Sequence, residues 1–412
     1  MRDILFLSHR IPYPPDKGDK IRSWHILQHL LRRYRVHLGC LVDDKADFAH
    51  VPMMSELCES CCFASIDWLG AHGRMAGALA TGKPLTFAHF RKKSLATWVA
   101  ALHRAYDISA QLIYSSAVAP YVESIPGFRG MRIVDFVDVD SDKWAQYARS
   151  CAWPLAWIYA REARLLASAE RRIAESADFS LFASEDEAAF FRSRGGDSAT
   201  VLAMPNGVDT TYFDPSLDFS YPFGADGEGP ALVFVGRMDY WANVDAVQWF
   251  TREVLPSLRQ SVPSVRLFIV GAEPTRAVRA LGHIERVVVT GRVPDVRPYL
   301  AHAALVLAPL RIARGIQNKA LEAMAMAKAV VATPQAFEGI EAEPGRDIVV
   351  ADDGPAFAAA TIELLADRQA LLRIGARARA TMVANYGWKS RLAILDRLLE
   401  PIDEVPRRAA FR

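Results

Sequence analysis

The sequence predicts an α/β protein built from two doubly wound, Rossmann-like parallel-sheet domains in series. Three observations carry this. At 412 residues the chain exceeds what one hydrophobic core usually supports. Apolar runs of strand length alternate with amphipathic helical segments in both halves. A segment rich in glycine, proline and acid, SYPFGADGEGP (Ser220 to Pro230), divides one series from the other.

The elements follow in order. Ile4 to Ser8 reads as a buried strand, then a loop with Pro12, Pro14, Pro15 and Gly18, then a helix from about Asp19 to Arg33. Val36 to Val42 is the next strand, so the chain opens as β-α-β. Leu112 to Ser115 and Arg132 to Val137 extend the same sheet, a long helix runs from Leu155 to Ser176, and Phe179 to Ala183 and Ala199 to Met204 are strands around a helix at Glu185 to Arg194. The second series has strands at Ala231 to Val235, Val265 to Val270, Val287 to Thr290, Ala304 to Ala308 and Ala329 to Ala332. Helices are expected at Val244 to Leu258, Val296 to Ala301, Gln317 to Ala327 and from about Phe357 onward. The expected domains are 1–215 and 216–385, with 386–412 as a terminal helix packing back on the first domain.

Composition excludes several classes. A formal net charge of +2 gives no electrostatic case for nucleic acid. Five cysteines in a chain of this length fit a reduced, cytoplasmic protein. Cys58, Cys61 and Cys62 include a C-x-x-C, but no second pair and no suitably spaced histidine follows, so they read as plain thiols. The N-terminal apolar run is of strand length, too short for a signal peptide, and nothing approaches the roughly 20 apolar residues of a membrane span. No G-x-G-x-x-G follows the first strand, which argues against a dinucleotide dehydrogenase.

Ligands of open α/β sheets sit at the carboxyl ends of strands. There the second series places Gly236-Arg237, Gly271, Gly291-Arg292, and Arg311 followed by Arg314-Gly315-Ile316-Gln317-Asn318-Lys319. Glycines and arginines converging on one sheet edge describe a site for a large anion approached by backbone. Gly315 admits a phosphate, the N–H groups of the next helix point at it, Lys319 adds a full charge, and Arg237 adds a forked donor. Glu322, one turn into an otherwise apolar helix, is an acceptor for hydroxyls, with a ribose the natural candidate.

In these stretches the second half resembles the donor-binding domain of family 4 glycosyltransferases of the GT-B fold. The matching pieces are PNGVD (Pro205 to Asp209), FVGRM (Phe234 to Met238), VGAEP (Val270 to Pro274), VTGRVPDVRPYL (Val289 to Leu300) and GIQNKALEAMAMAKAVVAT (Gly315 to Thr333). The first half, with SHRIPYPPDKGDKIRSWHIL and VDFVDVDSDKW, is similar to sugar transferases associated with exopolysaccharide and exosortase (PEP-CTERM) systems. The resemblance implies two domains facing across a cleft and transfer of a sugar from a nucleotide-diphosphate donor, with retention and without a metal or other cofactor. It implies a ribose contact at Glu322, the second glutamate of the family's E-x7-E motif. The first glutamate falls on Arg314, so Gln317 and Asn318 are the candidates for reading the sugar. Arg237 matches the family's basic strand end. The lysine expected a few residues later is absent from MDYWAN, and its role passes to Lys319, with Arg311 or Arg314 assisting.

On the acceptor side, His9 and Gly18 follow the first strand. Asp19, beginning the helix there, reads as an N-terminal cap. Asp138-Val139-Asp140 has the spacing of a metal-binding D-x-D, but the donor site belongs to the other domain. Asp138 is therefore read as orienting the acceptor hydroxyl, with Ser141 and Lys143 beside it, and no metal is expected. The acceptor implied is a saccharide or polyprenyl-linked glycan. RKKSLATWVAALHRAY (Arg91 to Tyr106) and CAWPLAWIYAREARLLASAERR (from Cys151) mix aromatics with basic residues and are candidates for peripheral contact with the inner membrane. Two other readings stay open: a nucleotide-sugar epimerase of the same fold, and a non-catalytic nucleotide-sugar-binding component of a polysaccharide assembly system, favoured by Arg314.

Overall fold

A computed structural model describes residues 1–123, 125–197, 199–224, 229–313 and 315–400, leaving aside the side chain of Trp68. Arg314 and part of the Ser220 to Pro230 segment lie outside the described residues. Contacts divide the chain into two compact units: Met1–Pro205 with the segment beginning at Leu392, and Asn206–Arg391.

The first unit is a seven-stranded sheet. Its strands are β1 (Asp3–Ser8), β2 (Arg35–Val42), β3 (Ser60–Ser65), β4 (Ile108–Tyr114), β5 (Met131–Val137), β6 (Phe179–Phe182) and β7 (Val201–Ala203), in spatial order β3-β2-β1-β4-β5-β6-β7. All neighbours run parallel. Near-continuous apolar runs make strands buried on both faces, and β1 is buried at every position. The order reverses between β1 and β4, so the loops after Ser8 and Tyr114 flank the switch point.

The second unit repeats the plan with six parallel strands: β8 (Ala231–Val235), β9 (Arg266–Val270), β10 (Val287–Gly291), β11 (Leu305–Ala308), β12 (Val330–Ala332) and β13 (Val349–Val350), ordered β10-β9-β8-β11-β12-β13. Its switch point lies between β8 and β11. Phe234, Phe250 and Phe357 are fully buried in its core.

Asn206 to Asp214 belongs with this second unit, ahead of the Gly/Pro-rich segment, because Arg379 reaches it. The guanidinium donates to the carbonyls of Thr210 and Phe213 and pairs with Asp214. The helix expected at Val244 to Leu258 is instead a helix Trp241–Trp249, a π-turn Phe250–Val254 and a helix Leu255–Ser261. Pro256 has no N–H to continue an α ladder, and the wider turn accommodates it.

Asp19 is not a cap: the helix Gly18–Leu31 has Lys17 at that position, without a side-chain cap bond. At the other end of the chain, the helix Ala393–Leu399 is tied to the first unit through Asp396, which pairs with His29 at 2.9 Å and Arg33 at 3.2 Å. Among the described residues no helix is long and apolar enough to cross a membrane.

Candidate active site

In the second unit the strand ends are locked together before any side chain matters. The N–H of Gly236 donates to Val270 at 3.0 Å and that of Met238 to Ala272 at 2.8 Å. Gly271 has φ +151°, and a Cβ there would sit 1.8 Å from the Gly236 carbonyl oxygen. Glycine is therefore obligatory, and it lets the two loops close on one another. Gly315 likewise has φ +63°, turning the chain after β11 into the helix Asn318–Ala325.

That helix starts from Gln317 at its cap position without a side-chain cap bond, and the Ala320 N–H donates to the Gln317 carbonyl at 2.9 Å. Lys319 and Glu322 stand on it one turn apart, both half-buried. The Lys319 ammonium donates to the Asn243 side-chain oxygen and lies 4.8 Å from the centre of the Phe234 ring. Asn243, itself buried, donates through Nδ2 to the carbonyl of Arg237 at 2.8 Å. One amide thus ties the lysine to the turn after β8. Burial pushes the Lys319 ammonium down to about 7, with Glu322 pulling the other way. Burial pushes the Glu322 carboxyl up to about 7, with Lys319 opposing. A cation and an acceptor both poised near neutrality, at a helix start, are suited to an anionic ligand carrying hydroxyls.

The remaining expected donor residues are placed as follows. Arg237 forks onto Asp239, with contacts of 3.0 and 2.6 Å, so its guanidinium leans along its own loop. Arg311 is held by Asp245, with Nε at 3.0 Å. Gln317 donates to the Gly315 carbonyl at 3.1 Å, and the Asn318 side-chain oxygen accepts from Asn206 at 3.2 Å. Ile316 is buried and Arg292 is exposed after β10.

In the first unit, the carboxyl ends of β1, β4 and β5 gather a polar cluster. His9 stacks on Tyr114 at 5.6 Å between centroids and sits 3.3 Å from the Asp19 carboxylate. Arg10 bridges Asp19 and Asp43. Burial works to raise the Asp19 carboxyl, but His9 and Arg10 outweigh it and hold it well below the usual carboxylate range. Gly18 is exposed at the helix start. Beneath, Arg22 forks onto Asp135 at 2.8 and 3.1 Å, both side chains fully buried.

Asp138 follows β5 through a strained turn. Val137 has φ +69°, and the Asp138 N–H donates back to Phe136 at 2.9 Å, closing a γ-turn. A β-branched residue with positive φ is a backbone outlier of the kind found at functional sites. Burial pushes the Asp138 carboxyl up to about 7; Glu187 and Asp140 add to this, while Lys143 and Arg22 oppose it. Asp140 is also raised by burial, with Lys143 and His9 opposing. Ser141 is buried, and its N–H donates to Glu170 at 2.9 Å; Lys143 is exposed. Among the described residues no three His, Cys, Asp or Glu side chains gather as a metal ion would need.

Sequence reasoning missed Asn243, Glu170 and the Arg10–Asp43 pair.

Residues 229–367 match the family described as Glycosyl transferases group 1. The GDP-mannose-dependent alpha-(1-6)-phosphatidylinositol monomannoside mannosyltransferase of Mycolicibacterium smegmatis is 31% identical over 251 residues, or 56% of this chain and 64% of that relative. The chain thus spans less than two thirds of that relative's length. Among solved structures, sucrose-phosphate synthase from Thermosynechococcus elongatus matches with TM-score 0.69 at 18% identity, covering 97% of this chain and 98% of the other. Anabaena HepE in complex with UDP-glucose matches with TM-score 0.67 at 16% identity, covering 97% and 99%. The fold is GT-B, two parallel-sheet α/β domains of seven and six strands.

Proposed function

We propose that this chain is a glycosyltransferase that moves a sugar from a nucleotide-diphosphate sugar to a saccharide acceptor. The observation that carries the reading is the Lys319–Glu322 pair, one turn apart at an uncapped helix start on the carboxyl edge of the second sheet, with Asn243 holding the lysine. The diphosphate lies against the Gly315 turn and the helix N–H groups, and Glu322 accepts from the ribose hydroxyls. As the glycosidic bond breaks, negative charge grows on the leaving diphosphate. Lys319 meets that charge in place, assisted by Arg237 or Arg311 once these turn from their carboxylates, and this reading needs no metal. Asp138 orients the acceptor hydroxyl and, with a value near 7, can hold its proton.

The finer parts of the reading rest on resemblance. The named relatives use GDP-mannose in one case and bind UDP-glucose in another, so these two donors are tested first. Retention at the anomeric carbon, a lipid-linked acceptor, a role in exopolysaccharide synthesis and a place on the cytoplasmic face of the membrane follow the same resemblance.

The test is release of nucleoside diphosphate from a panel of labelled nucleotide sugars, with membrane extract as acceptor source. Turnover is expected with one donor, reduced by roughly 10²–10³ in Lys319→Ala. Equal turnover in wild type and Lys319→Ala would end the assignment. A non-catalytic donor-binding role is favoured by one observation, Arg314 where a glutamate was expected; tight donor binding with no turnover on any acceptor would establish it.

A further inference from the structure

We propose that the tip of the helical hairpin formed by Asp140–Ser150 and Leu155–Ser176 is an interfacial anchor that seats the first unit on an anionic lipid surface. It deepens the reading of a lipid-linked acceptor, but the surface stands on its own observations.

The ten residues Cys151 to Ala160 carry no charge, and from Lys143 to Arg161 the chain has no acid. At this tip Trp153 is 82% exposed, Trp157 56% and Leu155 49%. Water-facing indoles at this density are costly for a solvated surface. None of the first six residues of the 22-residue helix is buried; burial begins at Arg161. Six helical residues span about 9 Å, which matches the depth of roughly 5–10 Å to which interfacial helices sink.

The tip is held rigidly. Trp144 packs on Tyr159 at 5.2 Å and on Tyr147 at 5.7 Å between ring centres, joining the two helices behind it. Arg161 then donates to the carbonyls of Ala78, Leu79 and Lys83 at 3.0–3.3 Å. This brings the end of the helix Trp68–Ala80 alongside, where Leu79 adds exposed apolar surface and residues 68–83 also contain no acid.

Charge decides the occupant. Arg149, Arg164 and Lys83 are exposed on these elements, and no acidic residue interrupts the tip. Indoles with basic neighbours suit the headgroup layer of an anionic bilayer, where the ring is buried and its N–H stays hydrated. The other segment considered from sequence, Arg91 to Tyr106, does not share this character: its helix Lys93–Ala105 buries Leu95, Val99 and Leu102.

The experiment is co-sedimentation of the full chain with phosphatidylglycerol/phosphatidylcholine vesicles and with phosphatidylcholine alone. Binding is expected to the anionic vesicles, weakened by salt. The double substitution Trp153→Ser with Trp157→Ser should lower the partition coefficient by at least roughly tenfold. Its thermal midpoint and its nucleotide-sugar affinity should stay at wild-type values, since both rings face solvent. The proposal is overturned if the variant binds vesicles as wild type does, or if wild type binds neither vesicle. It is equally overturned if wild type is a dimer that the double substitution dissociates while vesicle binding is absent. Loss of donor binding in Lys319→Ala with vesicle binding intact reports on the donor reading separately.

Discussion

The affinity for a nucleotide-diphosphate sugar should be bell-shaped in pH, centred near neutrality. Binding needs Lys319 charged and Glu322 ionised. Burial sets both groups to titrate at about 7 in the free protein. The charged fraction of Lys319 falls as pH rises through 7, and the ionised fraction of Glu322 falls as pH drops through 7. Treated independently, about a quarter of molecules are competent at pH 7 and about 3% at pH 8.5 or 5.5, so affinity should fall about eightfold on either side. The donor's phosphates, both esterified, keep their charge across this range, so the limbs belong to the protein. Isothermal titration between pH 5.5 and 8.5 measures this, with proton uptake read from buffers of different ionisation enthalpy. Glu322→Gln should flatten the acid limb and Lys319→Met the alkaline one, at lower affinity throughout. A flat profile in wild type, or limbs that survive both substitutions, would refute the placement of these two groups against the ligand.

Asn243→Ala should weaken donor binding by about 1 kcal/mol in titration, with Asn243→Gln recovering part, because the ties to Lys319 and to the Arg237 carbonyl are lost. Asp138→Asn should lower kcat by roughly 10²-fold while leaving the donor dissociation constant unchanged, and should remove a pH–rate limb near 7. Arg22→Met leaves Asp135 buried without its partner and should cost about 3–5 kcal/mol in urea unfolding of the first unit, while Arg22→Met with Asp135→Leu should recover most of it. Gly271→Ala forces a Cβ against the Gly236 carbonyl and should lower the stability of the second unit by about 2–4 kcal/mol in the same assay.

Much of this fold was legible because parallel strands buried on both faces are short apolar runs, and the helices between them carry the other period. Ala231–Val235 and Leu155–Ser176 fall where their residues predict. The strand Ser60–Ser65 escaped because two cysteines and two serines dilute its apolar signal, and Val349–Val350 is too short to give one. Lys319 and Glu322 were legible as charges with no apolar reason to be there. Asn243 was not, because its value arises only when the helix Trp241–Trp249 meets the helix Asn318–Ala325, with Asn243 and Lys319 76 residues apart in sequence. Arg22 and Asp135, separated by 113 residues, are invisible for the same reason. The two aromatic-basic segments looked alike as sequences, and only burial separates the packed Lys93–Ala105 helix from the exposed tip at Trp153 and Trp157.

The central claim is that the helix start at Asn318 holds a nucleotide-diphosphate sugar. Its most direct test is thermal stabilisation by GDP-mannose and UDP-glucose, on wild type and on Lys319→Ala and Glu322→Ala. Ligand at a hundredfold excess over its dissociation constant stabilises the native state by roughly 2.7 kcal/mol. The account predicts such a shift with one donor in wild type and its loss in both variants. A shift of equal size in all three proteins would contradict it.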